Sequence, residues 1–225
     1  MAAITAKKLE KAIEKALVEW LSPLGFRAEQ GGCSRWENDI YVYMGCVVTR
    51  IGGINRVKPV GQMGFRSSQA IYQAFMHDRD IPSPDRSVDL QADYAHFARS
   101  WSSDMRCQSE EDLLAFLESL RIFVMEKLYP TLAAFSEPGA VVDLYLGYDE
   151  KDRHSLELPG WHGHGSALKA LILARLYRPD AYEILKKRYQ PIFEQLLPEL
   201  RERVTRLLAY LDQQVLSPVA ESLAK

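Results

Sequence analysis

Apolar residues at the start of the chain recur every three or four positions, which is the spacing of one face of an α-helix. This pattern predicts a helix with Thr5 as its N-cap that ends at Ser22-Pro23. Two short extended pieces are expected around Gly31-Gly32. The inward positions predicted for the helix are Leu9, Ala12, Ile13, Ala16, Leu17, Trp20 and Leu21.

The segment "IYVYMGCVVTRI" is rich in β-branched and aromatic residues and predicts a strand. It is apolar on both faces, so we expect the first helix to cover one face and later helices or a partner to cover the other. After a Gly52-Gly53 turn, "INRVKPVGQMGF" predicts the next antiparallel strand, "SSQAIYQAFMHD" a short helix and "DYAHFARSW" a fourth strand. The first strand places Ile40, Val42, Met44, Cys46 and Val48 on one face, and Tyr41, Tyr43 and Val47 on the other.

From Ser109 onward the apolar period becomes helical. Ser109 and Asp112 occupy capping-box positions ahead of a long apolar face, and Pro130 is expected to lie beyond the end of that helix. "EPGAVVDLYLGYDE" predicts a short helix, with Tyr145 in the core. Residues 165–216 predict helices broken near Pro179, Pro191 and Pro198, the last with an apolar stripe of Leu196, Leu197, Leu200, Val204, Leu207, Leu208, Leu211 and Val215.

The order of elements predicts an α+β fold. We expect an N-terminal helix, then an antiparallel β-meander of about four strands confined to roughly residues 27–101. Helices should pack on one side of this sheet, followed by a C-terminal helical extension. The predicted division is an α+β domain over residues 1–147 and a helical extension packed on it over 148–225, with one single domain as the alternative.

Three segments together carry a family resemblance. A leading helix that ends "WLSPLGF", a meander that contains "YVYMGCVV" and a later "MEKLYPTLAAFSEPGAVVDLYL" resemble the small bacterial domain of unknown function 4304 over roughly residues 5–147. Domains of this kind look like those of immunity proteins, which bind and block one cognate toxin. The resemblance therefore implies an inhibitor, and it supplies no catalytic residues. Residues 148–225 exceed the pattern.

Composition indicates an ordinary globular chain. With 225 residues, 47% of them hydrophobic and 26% charged, it can bury a full core. The N-terminus mixes charged with apolar residues, so we expect neither a signal peptide nor a membrane span, and a cytoplasmic location without a membrane partner. Cys33, Cys46 and Cys107 are odd in number and form no CxxC motif, which fits reduced thiols.

Charge is distributed unevenly along the chain. Residues 108–160 hold 4 basic and 11 acidic residues, whereas residues 161–225 hold 10 basic and 7 acidic ones. A crowded acidic segment beside aromatic residues predicts a site for a basic protein partner and argues against nucleic acid. If that surface is only solvated, the Tyr41/Tyr43 sheet face is the next candidate. The predicted partner-binding residues are Tyr148, Asp149, Glu150, Asp152, Glu157 and Trp161.

The segment "LPGWHGHGSALKALILARLY" offers the strongest hints of chemistry. His162 and His164 could present two imidazoles to a metal, but a zinc site needs further ligands and no HExxH motif or Cys cluster supplies them. Ser166 and Lys169 match SxxK, yet no SDN or KTG accompanies them, so Ser166 is expected to be a helix N-cap. We expect no catalytic residue, metal or cofactor.

These features predict a cytoplasmic bacterial immunity protein that occludes a toxin stoichiometrically. The toxin could be a nuclease, because nucleases are basic where they hold phosphate. One alternative is a hydrolase that uses the loop from His154 to Ser166, with or without metal. Another is a scaffold or regulatory protein that acts through its C-terminal helices.

Overall fold

A computed structural model describes residues 3–76, 89–93, 105–147 and 164–213 of the chain. The fold is α+β, as predicted. Contacts divide the described residues into two compact units. Unit 1 contains residues 3–64, 90–93 and 105–136, and unit 2 contains residues 65–76, 89, 137–147 and 164–213. The predicted domain boundary after residue 147 stays a prediction.

The elements follow one another in chain order, with the sheet strands concentrated in the first half. They are α1 (Ala6–Leu21), β1 (Arg27–Glu29), β2 (Gly32–Glu37), β3 (Ile40–Ile51), β4 (Ile54–Phe65), α2 (Arg66–Met76), β5 (Leu90–Asp93), β6 (Met105–Cys107), α3 (Leu113–Phe123), α4 (Tyr129–Ala133), α5 (Pro138–Gly147), α6 (His164–Tyr177), α7 (Pro179–Glu194) and α8 (Pro198–Gln213).

The sheet of unit 1 is antiparallel, and β1 to β4 form a meander in that order. The turn between β3 and β4 is Gly52-Gly53, both with positive φ, a conformation that glycine adopts without strain. Both β5 and β6 pair with β4. The prediction that the sheet ends near residue 101 is wrong, because strand β6 lies at Met105–Cys107. The sequence did not reveal this strand, since three residues are too few to show an alternating pattern of apolar and polar positions. Most of "DYAHFARSW" lies outside the described residues.

Helix α1 packs on the sheet as predicted. The Thr5 side chain accepts a hydrogen bond from the Lys8 amide at 3.2 Å, so Thr5 is the N-cap. Leu9, Ile13 and Leu17 are buried, and α1 contacts β2 and β3. The helical layer approaches β4 closely, because a Cβ atom on Gly61 would lie 2.6 Å from Leu132 Cδ1.

Ser109 and Asp112 form the reciprocal hydrogen bonds of a capping box in the turn before α3, whereas the N-cap of α3 itself is Asp112, without a side-chain cap hydrogen bond. The Ser109 amide donates to Asp112 Oδ2 at 3.2 Å, and the Asp112 amide donates to Ser109 Oγ at 3.2 Å. The helix does not end before Pro130, contrary to the prediction: a π-helical turn, Val124–Leu128, connects α3 to α4, which runs to Ala133. In a regular α-helix, proline clashes with the carbonyl of the residue four positions earlier. The π-helical turn ahead of Pro130 is wider, with hydrogen bonds between residues five apart, so the helix continues past the proline.

The described residues of unit 2 form helices and their connections, apart from Phe65 at the end of β4 and Asp89 before β5, with α6 at the centre. Helix α6 contacts α2, α5, α7 and α8, and all its residues from Ala170 to Ala174 are buried. Tyr145 is also fully buried, as predicted. Pro179 and Pro198 begin helices, but Pro191 lies inside α7, so the predicted break there is wrong. Pro191 forfeits its own amide hydrogen bond in the last turn of α7, and the burial of Tyr189 and Phe193 on either side of it carries the helix through.

The last helix buries a narrower stripe than predicted. Val204, Leu207 and Leu211 are buried in α8, whereas Leu197 precedes the helix and is 77% exposed. The apolar run before Pro198 therefore belongs to the connection between α7 and α8, because proline starts a helix more readily than it continues one.

Candidate functional site

The predicted partner-binding residues lie outside the described residues. The set consists of Tyr148, Asp149, Glu150, Asp152, Glu157 and Trp161. Their role as a binding site for a basic partner stays a prediction. Of the loop from His154 to Ser166, which the hydrolase alternative requires, residues 154–163 also lie outside them.

Ser166 lies inside α6 and not at its N-cap, so that prediction is wrong. The helix begins at His164, and Gly165 packs so closely on α2 that an added Cβ would lie 3.3 Å from Tyr72 Oη. This packing holds the first turn in helical form before Ser166 is reached. Ser166 is 3% exposed, so its hydroxyl faces the protein interior and not a substrate.

Lys169 follows Ser166 by one helical turn and is surrounded by unit 2. Burial lowers the pKa of Lys169, and the nearby Asp89 carboxylate opposes that shift. The ammonium lies 5.5 Å from the centroid of the Tyr72 ring, a cation–π distance. A serine and a lysine of lowered pKa are the groups of a Ser-Lys hydrolase, but here burial separates the serine from solvent.

Asp89 is fully buried and has a structural role at the start of α2. Its carboxylate accepts hydrogen bonds from the Phe65 amide at 2.8 Å and from Ser68 Oγ at 3.2 Å. A carboxylate at a helix N-terminus satisfies free amides and complements the helix dipole. Tyr145 donates to the Asp89 carbonyl at 3.4 Å. Asp89 therefore caps the start of α2, and Lys169 is a nearby cation that offsets its negative charge.

No group of three His, Cys, Asp or Glu side chains is placed to hold a metal within the part of the chain that the structure describes. All five histidine side chains lie outside the part of the chain whose side chains are described. The expectation that His162 and His164 hold no metal stays a prediction.

One face of the unit 1 sheet carries exposed apolar side chains; we call it the outer face. Trp36 of β2 pairs in register with Tyr41 of β3, and their rings lie 4.8 Å apart between centroids. Residues at odd-numbered positions of β3 share this face, because side chains alternate along a strand. Trp36 is 44% exposed, Val47 52% and Ile51 55%.

Hydrogen bonds fix the two tyrosines of the outer face. Tyr41 Oη donates to Glu29 Oε2 at 3.0 Å, and Tyr43 Oη donates to the Gln30 carbonyl at 3.3 Å. Burial raises the pKa of Tyr41 to about 12, and the neighbouring Tyr43 adds to the shift. The Tyr41 hydroxyl therefore stays a donor at neutral pH, and its ring is a fixed base under Trp36.

Positive charges lie on the outer face of β4, which is next to β3, and of β6, which pairs with β4. Gly61 and the buried Val57 and Met63 face the helices, so the even-numbered Arg56 and Lys58 belong to the outer face. Arg56 pairs in register with Arg106 of β6. We call Arg56, Lys58 and Arg106 the basic cluster. Arg56 and Lys58 are half-buried, and Arg106 is exposed.

The sequence contained part of this site. A strand that is apolar on both faces predicted cover by later helices or a partner, and the Tyr41/Tyr43 face was the second candidate surface. Trp36 and the Arg56–Arg106 pair were missed. The first lies in a short polar strand, and the second joins residues far apart in the chain through a three-residue strand.

No protein-family model, curated protein or solved structure matches this chain. The resemblance to domain 4304 stays a prediction. Among the described residues, no helix has both the length and the apolar character needed to cross a bilayer.

Proposed function

We propose that this chain is a binding protein of the immunity type, which blocks a cognate toxin by occupying its surface. The outer face of unit 1 is the binding surface. One observation carries this proposal: Trp36 lies partly exposed on the ring of Tyr41, and Val47 and Ile51 are half exposed on the same face.

Protein interfaces draw most of their binding energy from a few aromatic and arginine side chains that are held rigidly before binding. Trp36 has this form, because the sheet fixes its backbone and Tyr41 supports its ring. Tyr41 is in turn held by its hydrogen bond to Glu29. Little conformational entropy is lost when a partner covers such a surface.

The same observations favour binding over catalysis. Besides its apolar, aromatic and cationic side chains, the outer face carries the neutral Ser34, Thr49 and Gln62, and the Glu29 carboxylate accepts a hydrogen bond from Tyr41. The serine–lysine pair of unit 2 has a buried hydroxyl. General acid–base or nucleophilic catalysis requires a reactive group that the substrate can reach.

The test uses the protein encoded beside this chain as the candidate toxin. Growth of cells that express this candidate should be restored by the wild-type chain. Trp36→Ala with Val47→Thr should abolish the rescue, with about a thirtyfold or greater loss of affinity, since loss of a hot-spot aromatic costs about 2 kcal/mol or more.

The matched control is Leu114→Ala, which removes an 80% exposed leucine from α3 in the same unit. It should rescue growth as well as the wild type does. Circular dichroism and thermal melting of all variants verify folding. Full rescue by the folded Trp36/Val47 variant would exclude the outer face, and absence of any complex with the wild-type chain would count against the immunity function for that pair.

A further inference from the structure

We propose that two copies of this chain pair through a free edge of β3, in an antiparallel register that places Thr49 opposite Thr49 of the second copy. The sheet of unit 1 then continues from one copy into the other. This inference goes beyond the proposed function and does not depend on it, because strand pairing uses the edge of the sheet and leaves the outer face uncovered.

The edge exists because β3 is longer than the strand beside it. Strand β2 pairs with β3 as far as Gly45, whereas β3 continues to Ile51. Beyond Gly45, none of the described strands pairs with β3 on the side of β2. The Gly52-Gly53 turn is a two-residue loop, so Ile51 and every second residue before it direct their backbone groups to β4. The backbone groups of Val48 and Arg50 therefore point to the free edge.

The side chains along this edge favour the addition of a strand. Val47 and Ile51 are more than half exposed, and Thr49 between them is also exposed. All three are β-branched, the side-chain type that strands favour. Proteins usually protect a free edge with proline or lysine, and the segment 46–51 contains neither. Its unpaired amide and carbonyl groups are the groups that another strand satisfies.

A register centred on Thr49 makes this edge complementary to itself. Val47 of each copy then lies opposite Ile51 of the other, and the two Thr49 side chains meet on the two-fold axis. Pairs of β-branched residues and of threonines stabilise antiparallel strands. Val48 of each copy lies opposite Arg50 of the other in a hydrogen-bonded pair, which gives about four backbone hydrogen bonds across the axis.

A cavity beside the edge provides the acidic partner for Arg50. It has a volume of about 230 Å³ and is lined by Glu10, Glu14 and Val48 among others. One oxygen of Glu14 accepts a hydrogen bond from the Gly31 amide at 3.1 Å. Arg50 is exposed and forms no ion pair with the described residues of its own chain. Because opposite residues share a face, Arg50 of the second copy lies beside Val48, where its guanidinium group can bond to these carboxylates.

The experiment measures the mass of the full chain by sedimentation equilibrium. A single strand pair buries less surface than a standard interface, so we expect a dissociation constant on the order of 10 μM. The test variants are Thr49→Lys and Thr49→Glu, each of which places like charges opposite each other on the axis. The matched control is Leu114→Lys, which adds the same charge at an exposed position of α3 in the same unit.

We expect the wild type and Leu114→Lys to show the same equilibrium between monomer and dimer. Each Thr49 variant should weaken dimerisation by at least about tenfold, because like charges directly opposite each other repel. An equimolar mixture of the two Thr49 variants should restore dimerisation, since lysine then faces glutamate across the axis. Circular dichroism and thermal melting of all variants verify folding.

Three results would overturn the proposal. The first is a wild-type chain that stays monomeric up to about 200 μM. The second is dimerisation that the Thr49 variants leave unchanged or that Leu114→Lys weakens equally, because the dimer would then use another surface or respond to net charge alone. The third is a mixture of the two Thr49 variants that stays monomeric, because residue 49 would then not meet itself.

A second set of variants tests the place of Arg50. Arg50→Gln should weaken dimerisation by about threefold, and Glu10→Gln should weaken it by no more than that. The double variant should dimerise as Arg50→Gln alone does, because the glutamate has no arginine left to bond. Losses that add in the double variant would overturn the placement of Arg50 at the cavity.

Discussion

Arginines serve different purposes in the two units. Four arginines of unit 2 bond to backbone carbonyls at or just beyond helix C-termini, whereas Arg56 and Arg106 of unit 1 lie opposite each other on a sheet face. The unit 2 contacts join Arg175 to the Leu211 carbonyl at 2.8 Å, Arg188 to those of Tyr145 at 2.8 Å and Leu146 at 3.1 Å, Arg201 to that of Leu196 at 3.0 Å, and Arg203 to that of Met76 at 3.4 Å.

The last carbonyls of a helix lack partners within the helix and carry partial negative charge. A guanidinium group offers several donors in a fixed plane, so it can satisfy two carbonyls at once. Much of the excess of basic residues in residues 161–225 is therefore used in hydrogen bonds within unit 2. Net charge per segment gives no indication of this, because it does not show which cations bond to backbone carbonyls.

The sharpest test of the comparison is the removal of one arginine from each unit. Arg175→Met should lower the free energy of unfolding by about 2 kcal/mol, because it leaves the end of α8 without its donor. The same change also removes the cation–π contact with Tyr182, 5.2 Å from its ring centroid. Arg106→Met should change the free energy of unfolding by less than about 0.5 kcal/mol.

Urea denaturation of both variants measures this difference. Arg175→Lys is the intermediate case, since it keeps the charge but has no planar fork, and it should recover part of the loss. A destabilisation by Arg106→Met as large as that by Arg175→Met would mean that the basic cluster is structural. The arginines of the two units would then not differ in role.

Local sequence patterns predicted the fold well where residues close together in the chain determine the structure. Thr5 caps α1 and Ser109 pairs with Asp112, because capping depends on residues three apart in the chain. Pro130 and Pro191 were misread, since each lies in a helix that tertiary packing carries through the proline. The basic cluster could not be predicted, because the register of β6 depends on long-range pairing.

A smaller effect is expected from acid in unit 2. Burial alone would raise the pKa of Asp212, but hydrogen bonds from Lys186 and Tyr182 outweigh it and leave that pKa below its usual value. Since the folded pKa is lower than the unfolded one, this contribution is complete above the unfolded pKa and is lost as pH falls through the folded one. Asp212 is partly exposed, so the contribution should be below about 1 kcal/mol.

Asp212→Asn checks the sign. The urea midpoint of the wild type should fall between pH 6 and pH 3 by more than that of the variant, because the variant has lost the titrating carboxylate. Arg121 and Glu118 form an exposed pair in unit 1, so Glu118→Gln is the matched control and should reduce the pH dependence less. Identical pH dependence in wild type and Asp212→Asn would show that the Lys186–Asp212 link contributes nothing.

The smallest effect on stability should come from the acidic segment that follows α5. Reversal of Asp149, Glu150 and Asp152 to Lys should change the free energy of unfolding by less than about 0.5 kcal/mol per residue if these charges are solvated.

Binding distinguishes the two surfaces. If the segment receives a basic patch of the toxin, association should slow and lose its salt dependence, whereas a charge buried against the toxin should raise the dissociation rate. If the outer face alone holds the toxin, the triple variant should bind as the wild type does at both low and moderate salt. Surface plasmon resonance of the triple variant and of the Trp36/Val47 variant against the same toxin tells which surface is used. Loss of affinity in one variant alone identifies its surface, and loss in both means that the toxin contacts both.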